Sequence, residues 1–264
     1  MLLCYTALSP YCRKVRMVMD WKGIAHDLFD SCDIEKYPAY NPRGEIPILV
    51  DGGLTVLNSS DILGYLDRKL PDLRIYSIDP ATYATVRAWE READTLVDAI
   101  VTDVAVYKFA EIPPAPSGLA EAARQGLDDV RNRMEQALTG SDYVAGELSV
   151  ADFALYPHIG SAQLLGIGTS IDRHPNIIAW LDRMDTSEVG QRDKAAKLQW
   201  WATRDKHGLD TKRINWGTHR LEWFLANGFL DYFVDEVRGD RVLWSVGPNS
   251  NAKHSPLATA PTRK

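Results

Sequence analysis

The chain has 264 residues, of which 45% are hydrophobic and 25% are charged, and its formal net charge is −6 at pH 7. This length allows one large domain or two ordinary ones, each with its own hydrophobic core. The negative charge argues against a nucleic-acid-binding surface, and the sequence contains no run of about 18 apolar residues that would predict a membrane span.

The amino terminus and the cysteines favour a reducing, cytoplasmic setting. The opening MLLCYTALSP has neither the basic start nor the long apolar core of a secretory signal. The cysteines, Cys4, Cys12 and Cys32, form an odd set without metal-ligand spacing. Disulfides are rare in the cytosol, so we expect a cytoplasmic protein.

The first 75 residues predict an α/β domain. LLCY predicts a buried strand, and residues 11–23 predict a helix that ends at Gly23. The charged residues of this helix, Arg13, Lys14 and Arg16, are expected to face solvent. A strand near 26–30 and a loop-like stretch over 33–45 follow.

The clearest local signal is IPILVDGGLTVL, in which two β-rich runs flank Asp51, Gly52 and Gly53 and predict a hairpin. NSSDILGYLDRKL then predicts a helix that Asn58 or Ser59 caps. Elements in this order predict an α/β unit over residues 1–75.

After a proline-bounded linker, residues 81–198 show only helical patterns. A long helical segment from Ala81 ends at the proline-rich stretch 113–116. Ser149 and Asp152 have the spacing of a capping box at the start of a later helix. We therefore predict an all-α domain over 81–198.

Residues 199–264 predict a C-terminal extension. Its centre, THRLEWFLANGFLDYFVDEV, is aromatic and amphipathic, and RVLWSV fits a short strand. The tail is rich in Pro, Ser and Thr, which predicts a loose segment. The aromatic side chains could cover a cleft, pack on the helical domain or join a dimer interface, and the sequence does not decide among these.

The stretch SPYCRKVR places Ser9 and Cys12 at the amino-terminal turn of the first helix. A helix amino terminus presents free N–H groups and about half a positive charge, which stabilise a thiolate. The Ser9 hydroxyl can donate a hydrogen bond to such a sulfur and favour its ionised form. Ser9 is thus either an ordinary N-cap or the activator of a thiol that a substrate brings.

Five motifs resemble those of one family. SPYCRKVRMVMDWKG, NPRGEIPILVDGG and LNSSDILGYLD follow in the order seen in the thioredoxin-like domain of cytosolic glutathione transferases. YVAGELSVADFALYPHI and HPNIIAWLDRM resemble the helical second domain of that family. The resemblance covers residues 1 to about 195 and implies a thioredoxin-like α/β domain followed by an all-α domain.

This resemblance implies a role for Ser9. It matches the catalytic serine of the theta, zeta and related bacterial classes, which holds glutathione as a thiolate. Members with cysteine at this position carry out thiol–disulfide exchange, so serine favours transferase chemistry. Cys12, one helical turn further along, is interpreted as a small buried hydrophobe.

The resemblance also implies the groups that bind glutathione. Ile46 and Pro47 match the cis-proline motif of the family, where the Ile46 backbone pairs with the cysteinyl backbone of glutathione. Ser59 and the N–H groups after it match the site of the γ-glutamyl carboxylate. Asn58 stands where the family usually has Glu or Asp, so a charge that could meet the glutathione amino group is missing.

Two further sets of side chains are candidates. Lys36 and Arg43 lie in the loop from which a cation could bind the glycyl carboxylate. The electrophile is expected in a mostly apolar pocket between the domains. The candidates for that pocket are Tyr11, Val104, Tyr107 and Lys108, although the aromatic residues among them also fit core packing.

Three functions stay open at this point. The first is a detoxifying glutathione transferase that attacks a small hydrophobic electrophile, with aryl ether cleavage or dehalogenation as variants. The second is a glutathione-dependent disulfide oxidoreductase that uses Cys12, and the third is a non-enzymatic, protein-binding member like stringent starvation protein A. The resemblance implies glutathione as co-substrate and a homodimer, and nothing in the sequence points to a metal, nucleic acid or a membrane.

Overall fold

The computed structural model describes residues 1–30, 45–109, 113–203 and 212–244. Cys32, Lys36 and Arg43 lie outside these ranges, as do most of the stretch expected to be loop-like and the tail expected to be loose.

The amino-terminal unit is built on a four-stranded sheet with the order β2-β1-β3-β4. Its elements are β1 (Leu2–Tyr5), α1 (Pro10–Trp21), β2 (Asp27–Asp30), β3 (Ile48–Asp51), β4 (Leu54–Leu57) and α2 (Ser59–Lys69). β1 pairs in parallel with β2 and antiparallel with β3, and β3 and β4 form the predicted hairpin. Gly52 in its turn has a φ of 61°, which glycine adopts without steric cost.

The helical unit begins with one long helix that a π-helical turn interrupts. Its elements are α3 (Pro80–Glu92), the π turn (Ala93–Val97), α4 (Asp98–Phe109), α5 (Leu119–Ala137), α6 (Val150–Leu164), α7 (Pro175–Thr186) and α8 (Glu188–Ala202). The predicted capping box of Ser149 and Asp152 opens α6. Since α8 continues to Ala202, Trp200 and Trp201 lie on it. The domain boundaries of the sequence analysis stay a prediction.

The extension consists of β5 (Ile214–Asn215), α9 (Thr218–Ala226), α10 (Leu230–Arg238) and β6 (Val242–Leu243), and β5 pairs in parallel with β6. The aromatic segment was expected as a single amphipathic stretch, but Gly228, with a φ of 85°, separates two short helices. Of the three placements left open, the structure shows the second, because α9 packs on α4. None of the described helices is both long and apolar enough to cross a membrane.

Helix α1 lies between the sheet and the helical unit, and one continuous core runs through both units. The expectation that Arg13 and Lys14 face solvent is wrong, since these residues are only 3% and 1% exposed. Both side chains extend into the contact with the helical unit, where carboxylates meet them. Arg16 is partly exposed and donates to the Tyr5 hydroxyl over 2.9 Å.

Candidate active site

Ser9 caps α1, and its hydroxyl oxygen accepts a hydrogen bond from the Cys12 backbone N–H over 3.4 Å. Pro10 follows in the first turn, where a missing N–H costs nothing. The Ser9 hydroxyl proton has no acceptor among the residues that the structure describes. The hydroxyl can therefore cap the helix with its oxygen and still donate its proton to an incoming thiolate.

The amino terminus of α2 forms a second candidate anion site. Asn58 is its N-cap and accepts from the Ser60 N–H over 3.0 Å, while Ser59 is 4% exposed. Asn58 has φ 67° and ψ 130°. Asparagine is among the few non-glycine residues that tolerate positive φ, which is a local reason for its presence at this position.

The peptide bond between Ile46 and Pro47 is cis, as the resemblance implied. Ile46 is partly buried and lies two residues before the first residue of β3, Ile48, which pairs with Cys4 of β1. This places the Ile46 backbone at the end of the central strand pair. The predicted pairing with glutathione stays a prediction.

Three carboxylates spaced four residues apart face α1 from the long helix: Glu90, Asp94 and Asp98, here called the acidic row. Lys14 Nζ lies 3.1 Å from Glu90 Oε1 and 2.5 Å from Asp94 Oδ2. Ser60, in the first turn of α2, donates to Glu90 Oε1 over 2.8 Å. The acidic row thus joins the helix that carries Ser9 to the helix that carries Ser59.

The carboxylates of the row differ in their acidity. Burial raises the pKa of Asp94, although the nearby Lys14 charge opposes this effect. Burial would also raise the pKa of Glu90, but the charge of Lys14, the hydrogen bond from Ser60 and the charge of Arg87 lower it overall. Lys14 is thus a counter-ion shared by Glu90 and Asp94, and Arg87 is a second counter-ion of Glu90.

Tyr11, two residues after Ser9, is bound to the acidic row. Its hydroxyl lies 2.8 Å from the Asp94 carbonyl oxygen and 2.9 Å from Asp98 Oδ2. Burial and then the charges of Asp98 and Asp94 raise the pKa of Tyr11, which keeps the phenol protonated. His158 Nδ1 lies 3.9 Å from Asp98 Oδ1, and burial lowers the pKa of His158 to about 4. This histidine is therefore neutral at pH 7.

A second buried ion pair joins α1 to α8. Arg13 donates through Nε and Nη2 to both oxygens of Asp193 over 2.9 and 2.7 Å. Its Nη1 donates to the Pro157 carbonyl oxygen over 3.1 Å. Bidentate pairs of this kind fix orientation as well as distance, so α1 is held in place from two sides.

The predicted electrophile-site residues have different surroundings. Tyr11 is engaged by the acidic row, Val104 is 8% exposed in the core, and Lys108 is exposed. Tyr107 packs edge-on against Tyr232 of the extension, with ring centroids 6.0 Å apart. At about 100° per residue, Tyr107 lies about 180° around α4 from Asp98. The roles proposed for these residues stay predictions.

Lys14, Ser60 and Asp94 are the site-forming residues that the sequence analysis missed. One signal was available: Arg13 and Lys14 lie near the amino-terminal end of a helix, where the helix dipole disfavours a cation. Such a cation indicates an acidic partner elsewhere in the fold. The sequence does not reveal which of the many acidic residues that partner is.

Two family models match this chain, one in each unit. Residues 3–73 match the family model of the glutathione S-transferase N-terminal domain, and residues 116–183 match that of the C-terminal domain. Glutathione S-transferase D7 from Drosophila melanogaster is 30% identical over 205 residues, which cover 73% of this chain and 87% of that protein.

Solved structures of glutathione S-transferases are also similar to this chain. A glutathione S-transferase from Methylobacillus flagellatus with glutathione bound is 27% identical, with a TM-score of 0.63 over 73% of this chain and 98% of that one. The beta-etherase LigF from Sphingobium has a TM-score of 0.65 over 74% of this chain and 98% of that one, but at 18% identity this likeness shows the fold alone. With both domain models matched and the Drosophila relative spanned over most of its length, the chain belongs to the glutathione transferase family.

Proposed function

We propose that this protein is a glutathione transferase in which Ser9 holds glutathione as a thiolate for attack on a small hydrophobic electrophile. The observation that carries the proposal is the Ser9 hydroxyl at the amino terminus of α1. Its oxygen accepts from Cys12 N–H, and its proton is left to donate. Glutathione is the co-substrate of the family.

The reaction needs one proton transfer and one nucleophilic attack. The bound thiol gives its proton to solvent, the sulfur lone pair forms the carbon–sulfur bond, and the leaving group departs with its electron pair. A hydrogen bond to a charged group contributes about 1.5–3 kcal/mol, which lowers a thiol pKa by about 1–2 units. Aryl ether cleavage and dehalogenation are variants of this step with different leaving groups.

The remaining contacts of glutathione are assigned by position. Ser59 and the first N–H groups of α2 receive the γ-glutamyl carboxylate, and the Ile46 backbone pairs with the cysteinyl residue. Asn58 offers the glutathione amino group a neutral acceptor. Lys36 or Arg43 binds the glycyl carboxylate. We further propose a cytoplasmic homodimer, as is typical of the family.

The oxidoreductase alternative is less well supported by the structure. The Cys12 side chain is 0% exposed. A thiol that forms mixed disulfides must be reachable by the attacking sulfur and stabilised as a thiolate. Full burial therefore favours a packing role for Cys12.

Isothermal titration with reduced glutathione tests the proposal. Runs in two buffers of different ionisation enthalpy give both the Kd and the number of protons released. We expect Ser59→Ala to raise the Kd about tenfold, the equivalent of about 1.4 kcal/mol. Ser9→Ala should keep most of the affinity but lose proton release at pH 7, because the thiol then stays protonated. Ser117→Ala, at an exposed serine, serves as the control.

Two results would overturn the proposal. Absence of heat at millimolar glutathione would favour the non-enzymatic, protein-binding alternative. Disulfide reductase activity that Cys12→Ala abolishes and Ser9→Ala leaves intact would favour the oxidoreductase.

A further inference from the structure

Unpartnered polar atoms gather where the extension packs on α4, a contact here called the seam. Asp103 and Glu236 are 0% and 1% exposed, and Trp216 is 7% exposed. Across the described ranges of the chain, the buried atoms without a hydrogen-bond partner include four of the seam: Asp103 Oδ2, Trp216 Nε1, Arg220 Nη2 and Glu236 Oε2. Proteins pair about 90% or more of such groups, because a buried group that is left unpaired has lost its hydrogen bonds to water. Four in one contact indicate a site that something polar completes.

The ion pair between Arg220 and Asp103 uses one oxygen of the carboxylate and leaves the other without a partner. Arg220 Nε donates to Asp103 Oδ1 over 2.7 Å, and Nη1 donates to the Asn215 carbonyl oxygen over 2.5 Å. Arg220 Nη2 and Asp103 Oδ2 have no partner. An unpaired donor and an unpaired acceptor thus lie next to the hydrogen bond between Arg220 Nε and Asp103 Oδ1. A hydroxyl group suits this arrangement, because it accepts one hydrogen bond and donates another.

A second ion pair leaves a carboxylate oxygen open in the same way. Arg241 donates through Nε and Nη2 to Glu236 Oε1 over 3.1 and 2.9 Å, which leaves Oε2 unpartnered. Glu236 lies three residues after Phe233 on α10 and so shares its face of the helix. Phe233 packs edge-on against Trp216, with ring centroids 5.6 Å apart. The open oxygen of Glu236 therefore faces the same aromatic cluster as Trp216.

Aromatic rings surround these open atoms. The Trp216 ring lies 4.4 Å from the Phe224 ring, centroid to centroid, and the Arg220 guanidinium lies 5.5 Å from the Trp216 centroid. Tyr107 of α4 and Tyr232 of α10 continue the cluster. Flat apolar walls with a few fixed polar groups are typical of small-molecule sites.

The charges of the seam define the class of ligand. Above a pH of about 7, which is the pKa of the buried Asp103, this carboxylate and Arg220 neutralise each other, as do Glu236 and Arg241. An ionic ligand would therefore be buried without a counter-charge, which is costly. We propose that the seam is a binding site for a neutral, hydroxylated aromatic compound. One hydroxyl enters between Arg220 Nη2 and Asp103 Oδ2, and a second hydroxyl donates to Glu236 Oε2.

The seam uses another face of α4 than the site built around Ser9, but it lies close enough to that site for the charge of Arg220 to act on the pKa of Tyr11. At about 100° per residue, Asp103 lies about 140° around α4 from Asp98, which faces Tyr11. Access is from the edge of the seam, where the Arg220 side chain is 12% exposed and Tyr232 is partly buried. The ligand parts the extension from α4 at this edge and leaves the acidic row in place.

Titration of the full-length protein with two matched probes, without glutathione, tests the proposal. Resorcinol carries two hydroxyl groups on a benzene ring, and 1,3-dimethoxybenzene has the same oxygen spacing but cannot donate. We expect saturable binding of resorcinol and at least tenfold weaker binding of the dimethoxy compound. Arg220→Gln and Glu236→Gln should each weaken resorcinol about tenfold. Arg238→Gln, at a side chain that is 75% exposed and pairs with the exposed Asp235, should have no effect.

The test remains decisive if one variant fails to fold, because the comparison of the two probes needs only the wild-type protein. Saturating glutathione should leave the Kd of resorcinol unchanged, which separates this site from the Ser9 site. Equal affinity for the two probes, absence of saturable binding, or displacement of resorcinol by glutathione would each overturn the proposal. A protein that binds resorcinol but not glutathione would overturn the proposed function and leave this inference standing.

Discussion

Helix α1 and the extension both contact the helical unit through buried charges, but they use those charges differently. At α1, all three nitrogens of the Arg13 guanidinium donate, and Lys14 meets two carboxylates. At the seam, Arg220 donates through Nε and Nη1 and leaves Nη2 open. Asp94 Oδ1 and His158 Nδ1 are also unpaired at α1, so the two contacts differ in their cations: Arg13 and Lys14 use all their nitrogens, whereas Arg220 keeps one nitrogen open. Buried ion pairs thus serve rigid positioning in one place and recognition in the other.

The largest expected effect comes from removing the cation of the α1 contact. Lys14→Met leaves Glu90 and Asp94 buried without their shared counter-ion. Breaking a buried pair in this way costs about 3–5 kcal/mol. Urea denaturation of the variant should show a loss of this size in the free energy of unfolding.

Lys69→Met is the matched control for this prediction, because Lys69 pairs with Asp51 through a side chain that is 40% exposed. It should change stability far less. A second substitution, Asp94→Asn, should restore part of the stability of Lys14→Met, because it removes one of the unpaired charges. Equal losses for Lys14→Met and Lys69→Met would show that the α1 contact does not depend on its charges.

The two contacts should also respond to pH with opposite sign. Burial lowers the pKa of His158, at the α1 contact, from 6.5 to about 4. Between these two pH values, His158 binds a proton in the unfolded chain but not in the folded protein. The free energy of unfolding therefore falls as the pH drops from about 6.5 towards 4. Burial raises the pKa of Asp103, at the seam, from 3.8 to about 7, although Arg220 opposes this effect. Here the folded protein retains the proton, so stability falls as the pH rises from about 4 to 7.

Unfolding measured from pH 4 to 8 can separate these contributions. His158→Gln should remove a loss on the order of 3 kcal/mol at the acid end. Asp103→Asn should remove a loss of stability of similar size, which the wild type shows as the pH rises. His219→Gln, at an exposed histidine of the extension, should leave the profile unchanged. Parallel profiles for the wild type and either buried variant would contradict the assignment for that residue.

The smallest expected effect comes from removing a single hydroxyl group, that of Tyr11 at the α1 contact. Tyr11→Phe removes the hydrogen bonds to the Asp94 carbonyl and the Asp98 carboxylate, while the ring can stay in place. A cost of about 1–2 kcal/mol is expected, because two buried acceptors lose a donor. Thermal or urea unfolding checks this value against Tyr83→Phe, whose ring is 45% exposed. An unchanged stability would mean that water replaces the phenol.

Local features of the fold could be predicted from the sequence, because their cause lies within a few residues. The glycines of the β3–β4 turn, the box of Ser149 and Asp152, and the cap formed by Ser9 each act on their own backbone. The cis bond before Pro47 came from the family resemblance. The break between α9 and α10 was also readable, since Asn227-Gly228 is a turn signal.

The candidate site was less predictable, because its key contacts join distant parts of the chain. Arg13 and Asp193 are 180 residues apart, and Lys14 and Glu90 are 76 apart. A helical pattern assigns charged side chains to solvent by default, and only the fold shows which carboxylates face them. Ser60 is similar, since it lies within a predicted helix cap but bonds to the acidic row.

The π turn between α3 and α4 has a consequence for how the acidic row is aligned. On a regular α-helix, residues four apart drift by about 40° around the axis at each step, so three of them spiral away from a straight partner. A π turn has more residues per turn and winds the helix back within Ala93–Val97, between Glu90 and Asp98. The π turn thereby brings Asp98 back towards the side of the helix that carries Glu90 and Asp94. Deleting one residue from this turn would leave the composition of the helix almost unchanged and rotate Asp98, with everything after it, away from Tyr11.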